Sequence, residues 1–297
     1  MTNELHLWIP LTLASALLLA CYDVARKHGV NRNAVLPVLF LATLCGTCFF
    51  TIMLLATGQL KIAWDLNRAD HIRVAIKAVI VGTSWICVFY AMRALPISIV
   101  APIRGSAPFW TLCGAMLLYH EIPSIGQAAG MGVVLVGYVL FSRAGRMEGI
   151  YFARHSGIAL LAAGTLLGAI AALYDKYLLQ QCHIPPNTVQ FWFSVWLIVV
   201  LGGALAAQRG AGLARTPFAW RATIPVVGVA LILSDWCYFH ALAEPGVPIS
   251  IVSLIRRSNA ALSFTVGAIV FKEGNLKSKI LALIAILVGV AMLCLTK

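Results

Sequence analysis

Three arginines stand inside apolar runs of this sequence, and two of them occupy the same place in a repeated phrase. Arg104 lies in PISIVAPIRGS at Pro96–Ser106, and Arg256 lies in PISIVSLIRRS at Pro248–Ser258, with Arg257 directly after it. The prolines, the arginines and the glutamates that follow, Glu121 and Glu273, are each 152 residues apart, and the same offset carries Tyr22-Asp23 onto Tyr174-Asp175. A guanidinium offers two-pronged capture of an oxyanion, since its planar fork matches a carboxylate or phosphate. A charge in an apolar run is costly in a membrane and marks a candidate functional position.

The substrate-binding candidates are therefore Arg104, Arg256 and Arg257, with the polar neighbours Ser106, Ser258 and Asn259. Three aspartates can answer the arginines as charge partners or coupling groups. The repeat predicts Asp23 with Arg104 near one membrane face and Asp175 with Arg256 near the other. Asp235 and Arg257 lack charged counterparts in the first half, and both lie about 10 to 12 Å from the tight turn at Glu244–Pro248, so they are expected to pair. His240 is the histidine placed deepest in an apolar run and a candidate proton carrier. Lys176, beside Asp175, reads as a residue snorkelling to the interface. Pro102 and Pro108 free the carbonyls of Ser98 and Arg104, which opens the backbone around the first arginine. Two readings of the arginines stand open at this level: ligands of a substrate, or internal partners of the aspartates.

The elements that must position these residues are set by composition. The chain has 297 residues, 61% of them hydrophobic and 11% charged, and a mean hydropathy of +0.91, which is the signature of a polytopic membrane protein. Apolar runs long enough to cross a bilayer are Leu5–Ala25, Val35–Thr57, Val74–Met92, Ile97–Leu118, Ile125–Phe141, Ser156–Leu178, Val189–Ala207, Thr223–Leu242, Ile249–Phe271 and Ile280–Leu295. Their length predicts an all-α integral membrane fold of ten transmembrane helices, since barrel strands are shorter and alternate. The N-terminal run, with no Lys or Arg ahead of it, reads as a retained helix rather than a signal peptide.

Five spans per repeat is odd, so the second copy enters the membrane from the opposite face. The expected plan is two inverted five-helix repeats, 1–147 and 148–297, joined by the connection at Arg143–His155. Thirteen Lys and Arg fall in the connections after odd-numbered spans, against Lys61, Arg68, Arg73, Lys176 and Lys297 on the other side. Lys77 falls at the edge of the third span and counts for neither. The positive-inside rule then places both termini outside the cytoplasm.

The net charge of +12 belongs to those connections and excludes a nucleic-acid surface as its purpose. Cys45 and Cys48 have metal-like spacing without a second Cys or His pair, so the cysteines read as packing residues and no metal is expected. The chain carries no glycine-rich phosphate loop and no His-Glu-x-x-His run, so neither ATP hydrolysis by that route nor zinc chemistry is expected. Gly126-x-x-x-Gly130 and Gly164-x-x-x-Gly168 predict close helix contacts.

Two inverted five-helix halves, each with a fourth helix ending in an apolar run plus glutamate (LLYHEIPS at Leu117–Ser124, IVFKEGNLKS at Ile269–Ser278), resemble the drug/metabolite transporter superfamily and, within it, the EamA-type family. The resemblance covers the whole chain. It departs where members carry Glu-Pro in that helix: Ala107 precedes Pro108 here, and the second half has Asn259-Ala260. The arginines look more like the sugar-phosphate and nucleotide-sugar branches, in which cationic side chains bind a phosphorylated solute. The resemblance implies transport, with substrates that range from amino acids to drugs; joined to the arginines and the inverted repeat, it gives the expectation of a non-enzymatic secondary transporter of a small polar metabolite, anionic group favoured, working by alternating access in the plasma (inner) membrane. Its partners would be the solute, the lipid bilayer and a proton or other coupling ion, with no cofactor and no nucleic acid. The sequence carries no signal for an oligomeric state. The competing readings are an exporter of neutral or cationic amino-acid-like solutes or drugs, with every arginine paired, and a non-transporting membrane scaffold or sensor.

Overall fold

A computed structural model describes residues 7–30, 32–94, 104, 107–120, 122–145, 156–211, 216–259 and 276–295. Ser106, Glu121, Glu273 and nearly all of the first repeated phrase lie outside the described residues, as does most of the connection expected to divide the halves.

Among the described residues the chain is helical throughout, without a strand. The helices are α1 (Trp8–Val30), α2 (Val35–Ala56), a single-turn α3 (Leu60–Trp64), α4 (Arg68–Ala94), α5 (Ala107–Tyr119) and α6 (Ile125–Gly145). They continue as α7 (Ser156–Lys176), α8 (Pro186–Gly210), α9 (Thr223–Ala243), α10 (Ile249–Arg257) and α11 (Leu276–Leu295). Six of these elements are long and apolar enough to cross a membrane, namely α1, α2, α4, α7 with the turn that follows it, α8 and α9. Apolar side chains such as Ile52, Leu55, Ile72, Val79, Val199 and Val226 stand exposed along them, as an integral membrane protein requires.

Several boundaries differ from the apolar runs. α1 carries Arg26 and Lys27 as helix and ends at Val30, and α4 begins at Arg68 rather than Val74. Hydrophobicity marks where lipid begins, whereas capping marks where a helix begins. Asn67 caps α4, its Oδ1 accepting the Asp70 amide at 2.8 Å. Ser124 and Gln127 cap α6 reciprocally, each accepting the other's amide at 3.2 Å. The short α3 has too few residues to register as an apolar period. Its Trp64 packs on Trp192, with ring centroids 5.2 Å apart.

The helix pairs follow the sequence repeat. α1 packs on α9 and α4 packs on α7, and the 152-residue offset turns one contact into the other. The contacts of α2 with α9 and of α8 with α4 are related in the same way, while α2 with α8 and α6 with α11 map onto themselves.

Glycines set the closest approaches. A Cβ at Gly228 would lie 2.1 Å from the Ala42 carbonyl, and one at Gly46 would lie 2.7 Å from the Gly228 carbonyl, so α2 and α9 touch backbone to backbone. Gly164 abuts Val88 and Ser84 of α4, and the Gly130 carbonyl faces Gly289 of α11. Both small-residue motifs thus supply one close contact.

The end of α7 widens into a π-helical turn at Tyr177–Gln181. It brings Gln180 Nε2 to the carbonyls of Leu242 (2.8 Å), Glu244 (3.2 Å) and Val247 (3.2 Å), clamping the turn from which α10 launches Arg256. Such turns are frequent at functional sites.

Candidate functional site

A cavity of about 160 Å³ opens between α1, α4, α7, α9 and α10, with lining residues from both sequence repeats. Arg26, Lys77, Arg104, Arg256 and Arg257 line it as cations, and Asp175 and Asp235 as anions. The described wall therefore carries an excess of three positive charges. Tyr22, Trp85, Phe89, Phe193 and Tyr238 supply flat faces beside them.

At its most buried corner the cavity is closed by Lys77 of α4 and Asp175 of α7. Lys77 is 1% exposed and Asp175 is 6% exposed, which leaves no aqueous screening for either charge. Lys77 Nζ lies 2.6 Å from Asp175 Oδ1 and over the rings of Phe239 and Phe193, at 3.8 and 4.3 Å from their centroids. Aromatic faces attract a desolvated ammonium, so this lysine sits in a three-walled cage. Tyr238 also bonds Asp175, whereas Asp175 is the one anion that Lys77 Nζ meets within ion-pair distance among the described residues.

Arg256 is held from three sides. Its Nη2 contacts Asp235, its Nε donates to Ser15 Oγ at 3.1 Å, and its guanidinium carbon lies 4.3 Å above the Tyr238 ring. Ser15 is itself locked to α9. Its hydroxyl donates to the Ser234 carbonyl at 2.8 Å, while Ser234 Oγ returns a bond to the Ser15 carbonyl at 2.9 Å. The crossing of α1 and α9 thereby positions this arginine.

Two of the three expected pairings are corrected. Asp235 pairs with Arg256 rather than Arg257, and Asp175 pairs with Lys77 rather than Arg256. The reason is helical phase. Arg256 and Arg257 are adjacent and point about 100° apart, so equal depth did not decide which one faces α9.

Asp23 lies 3.4 Å from Arg26 Nη2, one turn along α1, and its Oδ2 accepts a 2.6 Å bond from Asn259 Nδ2. Arg26 in turn lies over Phe89 and Tyr22, at 4.9 and 5.1 Å from their centroids. Lys176 is buried, with its ammonium 4.8 Å from the Tyr119 ring centroid.

Of the residues singled out by sequence, Arg104, Arg256, Arg257, Asp175 and Asp235 share the cavity. Ser258, Asn259 and Asp23 are not among the lining residues: Ser258 and Asn259 are buried, and Asn259 is bonded to Asp23. His240 stacks on Trp236 with centroids 4.3 Å apart, and its Nδ1 is 2.8 Å from the Trp236 carbonyl, away from the cavity lining. Lys77 and Arg26 were not foreseen. The signal for Lys77 was present: a lysine inside an apolar run opposite Val229 in the other repeat.

Residues 6–143 match the model of the EamA-like transporter family. A curated relative, solute carrier family 35 member E4 of Homo sapiens, is 27% identical over 192 residues, which is 65% of this chain and 50% of the relative. The chain thus aligns with about half the length of that relative. A solved crystal structure superimposes with a TM-score of 0.76 at 14% identity, covering 95% of each chain, which shows a shared fold.

Proposed function

From the premise that this is an EamA-type protein of the drug/metabolite transporter superfamily, we propose that it is a secondary transporter of a small polar metabolite bearing an anionic group. The observation that carries the reading is the cavity wall, with five cations against two anions in a space of about 160 Å³. An anion entering that space replaces its hydration shell with charge-assisted contacts and gains the attraction between opposite charges, which a neutral solute lacks. Arg104 and Arg257 belong to the substrate set in this reading, and Arg256 contributes as a cation prepositioned by Asp235, Ser15 and Tyr238.

Alternating access between two inverted five-helix units, 1–147 and 148–297, is the proposed mechanism. It is supported by helix contacts that map onto one another through the 152-residue offset. The proposed orientation has both termini outside the cytoplasm of a plasma (inner) membrane. A reporter fused after Lys297 should read as non-cytoplasmic, and a cytoplasmic readout would reject it.

One observation favours the runner-up, an exporter of neutral or cationic solutes. Lys77 and Arg256 each meet an aspartate, so part of the positive charge is already answered. Purified protein in ATP-free proteoliposomes separates the two. Anionic metabolites should be taken up and should stabilise the protein, by about 2.7 kcal/mol at 100 times their Kd. Stabilisation by neutral or cationic amino acids alone would select the runner-up, and uptake that strictly needs ATP would reject secondary transport.

A further inference from the structure

The ion pair at the closed corner of the cavity is a poor structural device. A buried pair is often no more stabilising than apolar residues of the same size. Here the lysine is also under-satisfied: Nζ has three protons to donate and meets one carboxylate oxygen at 2.6 Å, the other near faces being the two phenyl rings. The repeat sharpens the point. The counterpart of Asp175 is Asp23, which is answered from its own helix by Arg26, while the counterpart of Lys77 is Val229. The lysine is thus an addition confined to one half, facing the cavity, at the contact between α4 of the first repeat and α7 of the second.

Resting on the anion-transport reading above, we propose that Lys77 is a substrate-binding cation held in reserve by Asp175, and that a proton taken up by Asp175 releases it to the substrate anion. Charge balances in this exchange. A proton from water bonds to the Asp175 carboxylate and the incoming anion takes the Lys77 ammonium, so one proton enters for each negative charge that lysine binds. The groups facing the pair are Asp235 and Tyr238 from α9 and Arg256 from α10, with the Phe193 ring from α8 and Arg26 from α1 on the same cavity. Asp235 is occupied by Arg256, which leaves Asp175 as the carboxylate whose protonation frees a cation. Lys77 needs only to swing its flexible stem, whereas Arg256 is fixed by three contacts.

The test uses the full-length protein in lipid nanodiscs with inorganic phosphate, glycerol phosphate and succinate as probes. Two quantities are read: the infrared band of protonated carboxyl groups, and net proton uptake in weakly buffered solution. At fixed pH, a bound probe should raise the carboxyl band and draw protons from solution. Asp175→Asn should abolish both responses, and Asp23→Asn should abolish neither. Lys77→Met should weaken binding about 10-fold to 100-fold, the worth of a charge-assisted contact. The Lys77→Met, Asp175→Asn double variant preserves neutrality and volume, so it should fold and bind the probe about as weakly as Lys77→Met, without proton uptake. Binding that moves no protons, or that Lys77→Met leaves unchanged, would overturn this proposal while the anion reading stands. Failure of every probe to stabilise the wild-type protein would overturn the anion reading, and this proposal with it.

Discussion

Asp23 and Asp175 occupy the same position in the two repeats, yet their surroundings differ in kind. Asp23 meets its cation locally, Arg26 one turn away at 3.4 Å, and takes a neutral bond of 2.6 Å from Asn259 of the other repeat. Asp175 is served across helices, by Lys77 at 2.6 Å from α4. The residue equivalent to Asn259 is Ala107, which has no polar atom to offer, and the residue equivalent to Arg26 is Leu178. With Leu178 and Ala107 at those positions, the charge that answers Asp175 comes instead from Lys77 of the other repeat. Duplication thus preserved the anion and the helix contacts while the answering charges diverged. A local pair stays intact when helices move, whereas a pair between the repeats is strained or broken by their relative motion.

The largest expected effect comes from breaking the cross-helix pair. Lys77→Ala leaves Asp175 buried and uncompensated, which should cost about 3 to 5 kcal/mol in equilibrium unfolding followed by circular dichroism in mixed micelles. The Lys77→Met, Asp175→Asn double variant should recover most of that loss. A single Lys77 variant as stable as wild type would dissolve the contrast between the two aspartates.

Asn259→Ala should cost less, about 1.5 to 3 kcal/mol for a hydrogen bond to a charged group, because Asp23 keeps Arg26. The same unfolding assay measures it, and a loss equal to that of Lys77→Ala would mean that Asp23 depends on cross-repeat contact as Asp175 does.

Packing extends the comparison to the helix crossings. Gly228→Ala forces a methyl against the Ala42 carbonyl and should cost about 1 to 3 kcal/mol, whereas its repeat counterpart, the exposed Ile76, should tolerate alanine within about 0.5 kcal/mol. Thermal inactivation of the two variants in detergent compares them directly.

The smallest signals are pairwise couplings, and they discriminate most finely. Double-mutant cycles on Arg256 with Asp235 and on Lys77 with Asp175 should give about 0.5 to 3 kcal/mol of coupling. Cycles on Arg256 with Asp175 and on Arg257 with Asp235 should stay below about 0.5 kcal/mol. Coupling concentrated in the second set would reverse the pairing seen in the structure.

Much of this molecule was legible without coordinates. The apolar runs prescribe helices because a bilayer leaves the backbone no other partner, and the 152-residue offset together with charges standing inside apolar runs located the residues worth attention. Of those, Arg104, Arg256, Arg257, Asp175 and Asp235 do share one cavity, since buried charges must converge on a place that is not lipid. Partner choice was not legible. It turns on helical phase and on which helices touch, and counting depth along one helix says nothing about either. Arg256 rather than Arg257 meets Asp235 because of a 100° step around α10. Lys77 meets Asp175 because α4 crosses α7, a contact between residues 98 positions apart that only tertiary packing could decide.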